Sequence, residues 1–216
     1  MFSAFSKHAT LLRKCYPVSP PEPAHLPRPS ELAYVIYYVQ ARPEKLAKVG
    51  AWLEVRAKAD LWSERDPTVL VSLHILNKCM EACPKDVKFI AKNALSMIRD
   101  ALATGRDSVL DGAFQSWLCF CRYFDALVGY AVDEDITSHV NIVVSKWTHL
   151  ANPESNKSSD KLPLPFIRRR VLALKALLDI ISAPVTKTID VKSFLRKAFP
   201  VILSNASWTL NSTLPR

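Results

Sequence analysis

A chain of 216 residues with 49% hydrophobic and 23% charged side chains can bury an ordinary domain core, which excludes a disordered tail or a collagen-like rod. Four glycines against fifteen prolines argue for helices over a turn-rich β fold, and neither G-x-x-x-x-G-K nor G-x-G-x-x-G can be assembled from them. The net charge of +9 is uneven: residues 1–65 carry ten basic and six acidic side chains, residues 66–150 eight and ten, and residues 151–216 eleven and four. Such asymmetry points to an anionic partner, whether lipid head groups, nucleic acid or an acidic protein.

Residues 1–15 read as a short basic amphipathic helix, with Phe2, Phe5, Ala9 and Leu12 on one side and Lys7, Arg13 and Lys14 elsewhere. No apolar stretch of signal-peptide length occurs there, and no run in the chain approaches the length of a membrane span. Residues 17–29, PVSPPEPAHLPRP, are proline-rich and read as an extended connector. Residues 30–61 then predict two helices broken at Ala41-Arg42-Pro43, the first N-capped by Ser30. The second has two faces at 100° per residue. Leu46, Val49, Leu53, Ala57 and Leu61 form an apolar stripe, and Lys45, Lys48, Trp52 and Arg56 form a basic one.

Asp66-Pro67 opens a helix over residues 68–82, with Val69, Leu70, Leu73, Leu76, Asn77 and Met80 inward, and Pro84 ends it. The next helix buries Val87, Ile90, Ala91, Ala94, Ile98 and Leu102 beside a stripe of Lys85, Lys88, Lys92 and Arg99, and stops at Thr104-Gly105. A third unit runs from Asp107 or Ser108 to about Tyr130, rich in Phe114, Trp117, Leu118, Phe120, Cys121, Phe124 and Leu127, with Gly129 near its end. Asp133-Glu134-Asp135 then precedes a helix over residues 136–150. Residues 151–165 are a polar loop. A helix over 166–181 is expected to bury Ile167, Val171, Leu174, Leu178 and Ile181, with Arg168, Arg169 and Arg170 around its first turn. After Pro184, a last helix over about 188–204 should kink or stop at Pro200, leaving 205–216 as an irregular tail.

The sum is an all-α armadillo- or HEAT-like solenoid over residues 30–204, with about four helix pairs at 31–61, 67–103, 107–150 and 166–203, behind a basic segment and connector at 1–29. A compact helical bundle is the alternative. Catalytic constellations are missing from this reading: there is no G-x-S-x-G elbow, the five histidines are scattered, and His74 sits beside core positions. Cys15, Cys79, Cys83, Cys119 and Cys121 lack zinc-ligand spacing and read as buried thiols. The expectation is therefore a non-enzyme without metal or cofactor. Most aromatics fall on core faces and no recognition motif occurs, which argues against nucleic acid. Basic stripes beside an interfacial tryptophan suit anionic phospholipid. The candidate lipid-binding residues are Lys7, Arg13, Lys14, Arg42, Lys45, Lys48, Trp52, Arg56, Lys85, Lys88, Lys92, Arg168, Arg169 and Arg170. The other reading is a helical-repeat module for an acidic protein or peptide, without lipid.

Particular letters carry a resemblance. Lys7-His8 through Cys15-Tyr16-Pro17, the triplet Tyr37-Tyr38-Val39, and Pro43-Glu44-Lys45-Leu46 with Gly50 and Leu53 resemble the N-terminal region of the fungal Eighty-five-requiring (Efr, or Rolling blackout) family. The likeness extends to about Asn205 and corresponds to roughly the first quarter of a typical member. It implies a helical-repeat rod at the cytoplasmic face of the plasma membrane. There it recruits the type III alpha phosphatidylinositol 4-kinase through a tetratricopeptide-type scaffold, and a basic N-terminal patch meets acidic phospholipids. Phe2, Ser3 and Ala4 stand where animal members carry a palmitoylated cysteine cluster, so binding is expected to rest on charge. The closing SWTLNSTLPR departs from the family pattern, so the chain reads as a shortened form without the scaffold-contacting region.

Overall fold

Proline sets most of the helix starts. In the computed structural model, which describes residues 7–18, 25–124, 134–152, 164–183 and 191–213, Pro29 occupies the first position of a helix, where its missing N–H has no helical partner to lose. The expected Ser30 cap is not used. Arg28, held extended before the proline, is the N-cap, and its carbonyl accepts the Leu32 N–H at 2.9 Å. The helices are α1 (Lys7–Cys15), α2 (Pro29–Ala41), α3 (Leu46–Trp62), α4 (Asp66–Ala82), α5 (Ala91–Ala103), α6 (Asp107–Tyr123), α7 (Glu134–Ala151), α8 (Leu164–Ser182) and α9 (Val191–Thr213). Proline-led 3-10 turns, Pro43–Lys45 and Pro84–Phe89, precede α3 and α5. The described residues contain no strand. Phe2, Phe5, most of the proline-rich connector, Leu127, Gly129, Asp133 and most of the 151–165 loop lie outside the described residues.

The helices form two layers. One holds α2, α4, α6 and α8; the other holds α3, α5, α7 and α9, with α1 packed on α2 and α3. The pairing is offset by one helix from the expected one. The consecutive helices that pack most extensively are α3 with α4, α5 with α6 and α7 with α8. The physical reason lies in the connections. Ser63–Arg65 and Thr104–Arg106 are three-residue reversals, each with one residue in the left-handed region (Glu64 at φ 54°, Gly105 at φ 66°), and they fold the chain straight back. The connections through the 3-10 turns instead leave α2 and α3, and α4 and α5, with little direct packing between them.

The expected apolar stripes of α3 to α6 are largely buried, including Leu46, Val49, Leu53 and Ala57 on α3 and Val87, Ile90, Ala94 and Ile98 in the following stretch. Trp117, Trp147 and Phe120 are the largest fully buried side chains. The Trp117 indole donates to the Ala176 carbonyl at 3.1 Å, which ties α6 to α8. Glu54 on α3 accepts from Asn93 at 2.7 Å and Ser96 at 2.6 Å on α5.

Two expectations fail at the far end. On α8 the buried residues are Ala173, Ala176, Leu177 and Ile180, whereas Ile167, Val171, Leu178 and Ile181 face solvent. The helix is apolar on two sides, and the small alanines allow close approach to α6 and α7. Helix α9 runs on through Pro200 to Thr213, so residues 205–213 are helical rather than irregular.

Candidate functional site

Alternation of turns gives the stack two edges. One edge carries the 3-10 turns that lead into α3 and α5; the other carries the reversals at 63–65 and 104–106. The two 3-10 turns pack against each other, which brings Lys45 and its neighbours to the turn that bears Lys85 and Lys88. Gln40, near the end of α2, donates to the Ala82 carbonyl at 3.4 Å and pins the same edge. Arg42, Lys48, Lys85 and Lys88 are exposed there, and Lys45 is half-buried beside Glu44 at 3.4 Å. Helix α1 adds to this edge. Lys7 stands 5.9 Å from the Tyr38 ring centre, and the His8 pKa is lowered by burial and then by the fields of Lys48 and Lys45. Lys7, Arg42, Lys45, Lys48, Lys85 and Lys88 thus share one edge, interrupted by the carboxylates of Glu44 and Asp86.

The remaining predicted residues are placed differently. Arg13 and Lys14 are exposed on the last turn of α1. Trp52 is half-buried and its ring lies 6.0 Å from that of Tyr16, so it acts as packing between α1 and α3. The Arg56 guanidinium lies 5.0 Å from the Tyr16 ring centre and donates to the fully buried Asp60 carboxylate at 2.7 Å, which commits it to the fold. Lys92 is on the basic edge but donates to Asp135 at 2.7 Å. Arg168 and Arg169 donate to Asp111 and Asp107 on α6, each at 2.5 Å, and Arg170 donates to Asn205 on α9. Because α6 begins at the opposite edge, the arginine triplet is separated from Lys45 and Lys85 by about a helix length, ~20–25 Å. It bridges helices rather than extending the patch.

Two aromatic residues were missed by the sequence reading. Tyr37 on α2 is 74% exposed, and Phe89 in the second 3-10 turn is 41% exposed with the Lys88 ammonium 5.2 Å from its ring centre. Both belong to the basic edge, where the exposed amphipathic Tyr37 ring and the apolar Phe89 ring suit a membrane interface better than the packed Trp52 does. Phe89 sits between the buried Val87 and Ile90, and only the tight 3-10 turn rotates it outward. Trp62, 91% exposed, marks the opposite edge.

All five cysteines are free and buried, and burial pushes the Cys15 and Cys119 thiols up to about 12. No group of three or more His, Cys, Asp or Glu among the described residues could hold a metal ion. No helix among the described residues is long and apolar enough to cross a membrane.

Comparison with known proteins gives a consistent answer. A family profile described as EFR3 protein matches residues 7–197. Protein efr3 of Emericella nidulans is 31% identical over 201 residues, covering 92% of this chain and 17% of that protein. Protein EFR3 of Coccidioides immitis is 32% identical over 202 residues, covering 92% of this chain and 16% of that protein. The chain therefore spans about a sixth of these relatives. A crystal structure of Efr3 superposes with a TM-score of 0.59 at 21% identity, over 82% of this chain and 36% of that one, and shares the fold. With the family profile spanning nearly the whole described stack, the chain belongs to the EFR3 protein family.

Proposed function

We propose that this chain is a non-enzymatic peripheral scaffold module that binds acidic phospholipids at the cytoplasmic face of the plasma membrane. In that role it helps position a phosphatidylinositol 4-kinase complex, the partner that the family resemblance implies, through a tetratricopeptide-type scaffold. The observation that carries the reading is the packing of the two 3-10 turns, which gathers Arg42, Lys45, Lys48, Lys85 and Lys88 at one edge beside Tyr37 and Phe89. Each basic side chain close to an anionic leaflet contributes about 1 kcal/mol, so five of them give reversible binding that weakens with salt.

Co-sedimentation with vesicles containing phosphatidylserine or phosphatidylinositol 4-phosphate tests the reading. Lys45, Lys48, Lys85 and Lys88→Glu together should weaken binding by at least a hundredfold. Arg168, Arg169 and Arg170→Gln should leave vesicle binding nearly unchanged while lowering thermal stability. Equal binding of the natural chain to neutral and anionic vesicles would overturn the proposal, as would undiminished binding by the quadruple variant.

A further inference from the structure

In the layer where α3 packs beside α5 and α5 beside α7, two cavities open side by side. The first, of about 900 Å³, lies between α3 and α5 and is mainly apolar, with Val55, Ala59, Leu61, Trp62 and Ala103 in its walls. Val55 is 55% exposed there, beside the still more exposed Trp62. Its one lining carboxylate among the described residues, Asp100, is held by Arg99 at 2.8 Å. The second cavity, of about 990 Å³, follows α7 and takes in Asn141, Ile142, Ser145, Lys146, His149 and Lys197. Lys197 donates to the Ser145 hydroxyl at 3.1 Å, and among the described residues no carboxylate pairs with Lys146, His149 or Lys197. Glu134 lines the same cavity from the start of α7, roughly 20 Å along the helix from these cations. Ala103 and Thr104 line both cavities, so the two run into one another across the end of α5.

We propose that these joined cavities hold an extended acidic segment of a partner protein, with one bulky apolar side chain against Trp62 and Val55 and its carboxylates at Lys146, His149 and Lys197. The acidic end follows from charge complementarity with three titratable cations that the fold leaves without a counter-charge. The extended form follows from the path, which crosses helices instead of following one. From α3 to α7 is two helix spacings of about 8–10 Å each, a distance that an extended chain covers in about five or six residues. A helix surface offers an incoming strand no free backbone groups, so side chains must supply them. The Asn141 amide, with a donor and an acceptor, suits the C=O and N–H of a peptide unit. Growth of the stack leaves this path open: α8 packs on α6 and α7, and α9 on α7, so added helices join beyond α7 and do not cross α3 or α5. The site uses none of the residues at the basic edge, so peptide binding and vesicle binding succeed or fail independently.

Fluorophore-labelled synthetic peptides test this on the 216-residue chain by anisotropy titration. The probe carries one leucine and, five residues away, three successive glutamates, joined by serine and glycine and made in both orders. The better order should bind at least tenfold more tightly than the same peptide with lysines for glutamates, and at least tenfold more tightly than one whose leucine adjoins the glutamates. W62S and the double variant K146E/K197E should each weaken it at least tenfold, with the helical circular dichroism and the vesicle sedimentation of the chain unchanged. The lysine peptide should in turn bind K146E/K197E at least tenfold more tightly than it binds the natural chain, an exchange that a merely structural role for these lysines would not produce. Absence of saturable binding by the glutamate peptide would overturn the proposal, as would equal binding of the glutamate and lysine peptides or of the spaced and unspaced ones. A concentration-dependent dimer of the natural chain that W62S abolishes would overturn it by assigning the face to a second copy. Loss of vesicle sedimentation in W62S would overturn it by assigning the face to membrane.

Discussion

Gly50→Ala tests the close approach of α3 and α5. In an open helix the change would stabilise by about 1 kcal/mol, because alanine is the better helix former. Here an added Cβ would stand 2.7 Å from Ile90 Cγ1, 2.8 Å from Asn93 Oδ1 and 3.1 Å from Asn93 Cβ. Ile90 is fully buried and cannot swing away, and Asn93 is held by its 2.7 Å bond to Glu54. Forcing a methyl group into such a site costs about 1–3 kcal/mol, and displacing Asn93 costs about another 1–3 kcal/mol by loosening a bond to a carboxylate. The clash outweighs the propensity gain, leaving a net loss of about 3 kcal/mol, which for a chain of this size lowers Tm by about 6–12 °C. Thermal and urea denaturation of natural and variant chains measure it. Adding Asn93→Ala to Gly50→Ala should destabilise by less than the two single changes summed, because the clash with Asn93 Oδ1 has been removed. A Tm equal to or above that of the natural chain would refute the close approach of α3 to the start of α5.

Two further outcomes follow from titration and burial. The His8 and His74 pKa values are lowered by burial, helped by Lys48 and Lys45 at His8 and by Lys78 at His74. Below the ordinary histidine value of 6.5 the unfolded chain therefore takes up protons before the folded one, and stability contributed by these groups falls as the pH drops from 7.5 to 5.5. Melting curves of the natural chain and of H8Q/H74Q should show a shallower acid loss in the double variant; parallel slopes would refute it. The thiols give the last test. With burial raising the pKa of Cys15, Cys79, Cys83, Cys119 and Cys121, a thiol-reactive chromogenic disulfide at pH 8 should label none of them rapidly until denaturant is added. Rapid native labelling of Cys15 would show that α1 is not seated on α2 and α3.

Apolar periodicity by itself determined the helices, because a 3.6-residue repeat reports local geometry wherever one face is apolar and the other polar. Leu46 to Ala57 and Val87 to Leu102 are buried as their spacing predicts. Prolines at 29, 43, 67 and 84 marked helix starts and stops for an equally local reason, the fixed φ and the missing N–H. The basic stripe of α3 was legible too, but its use was not. Arg56 turned to Asp60, one turn along its own helix, and to Tyr16 beyond α1; Arg168 and Arg169 turned to carboxylates on α6, partners about 60 residues away that no local pattern announces. Only the packing of one 3-10 turn on another joined Lys45 and Lys48 to Lys85 and Lys88. Helix α8 marks the limit most clearly: with apolar residues on two sides, its sequence offered two inward faces of similar hydrophobicity. Tertiary packing chose the alanine-bearing one, since small side chains let α6 and α7 approach, and left the leucine and isoleucine stripe facing out.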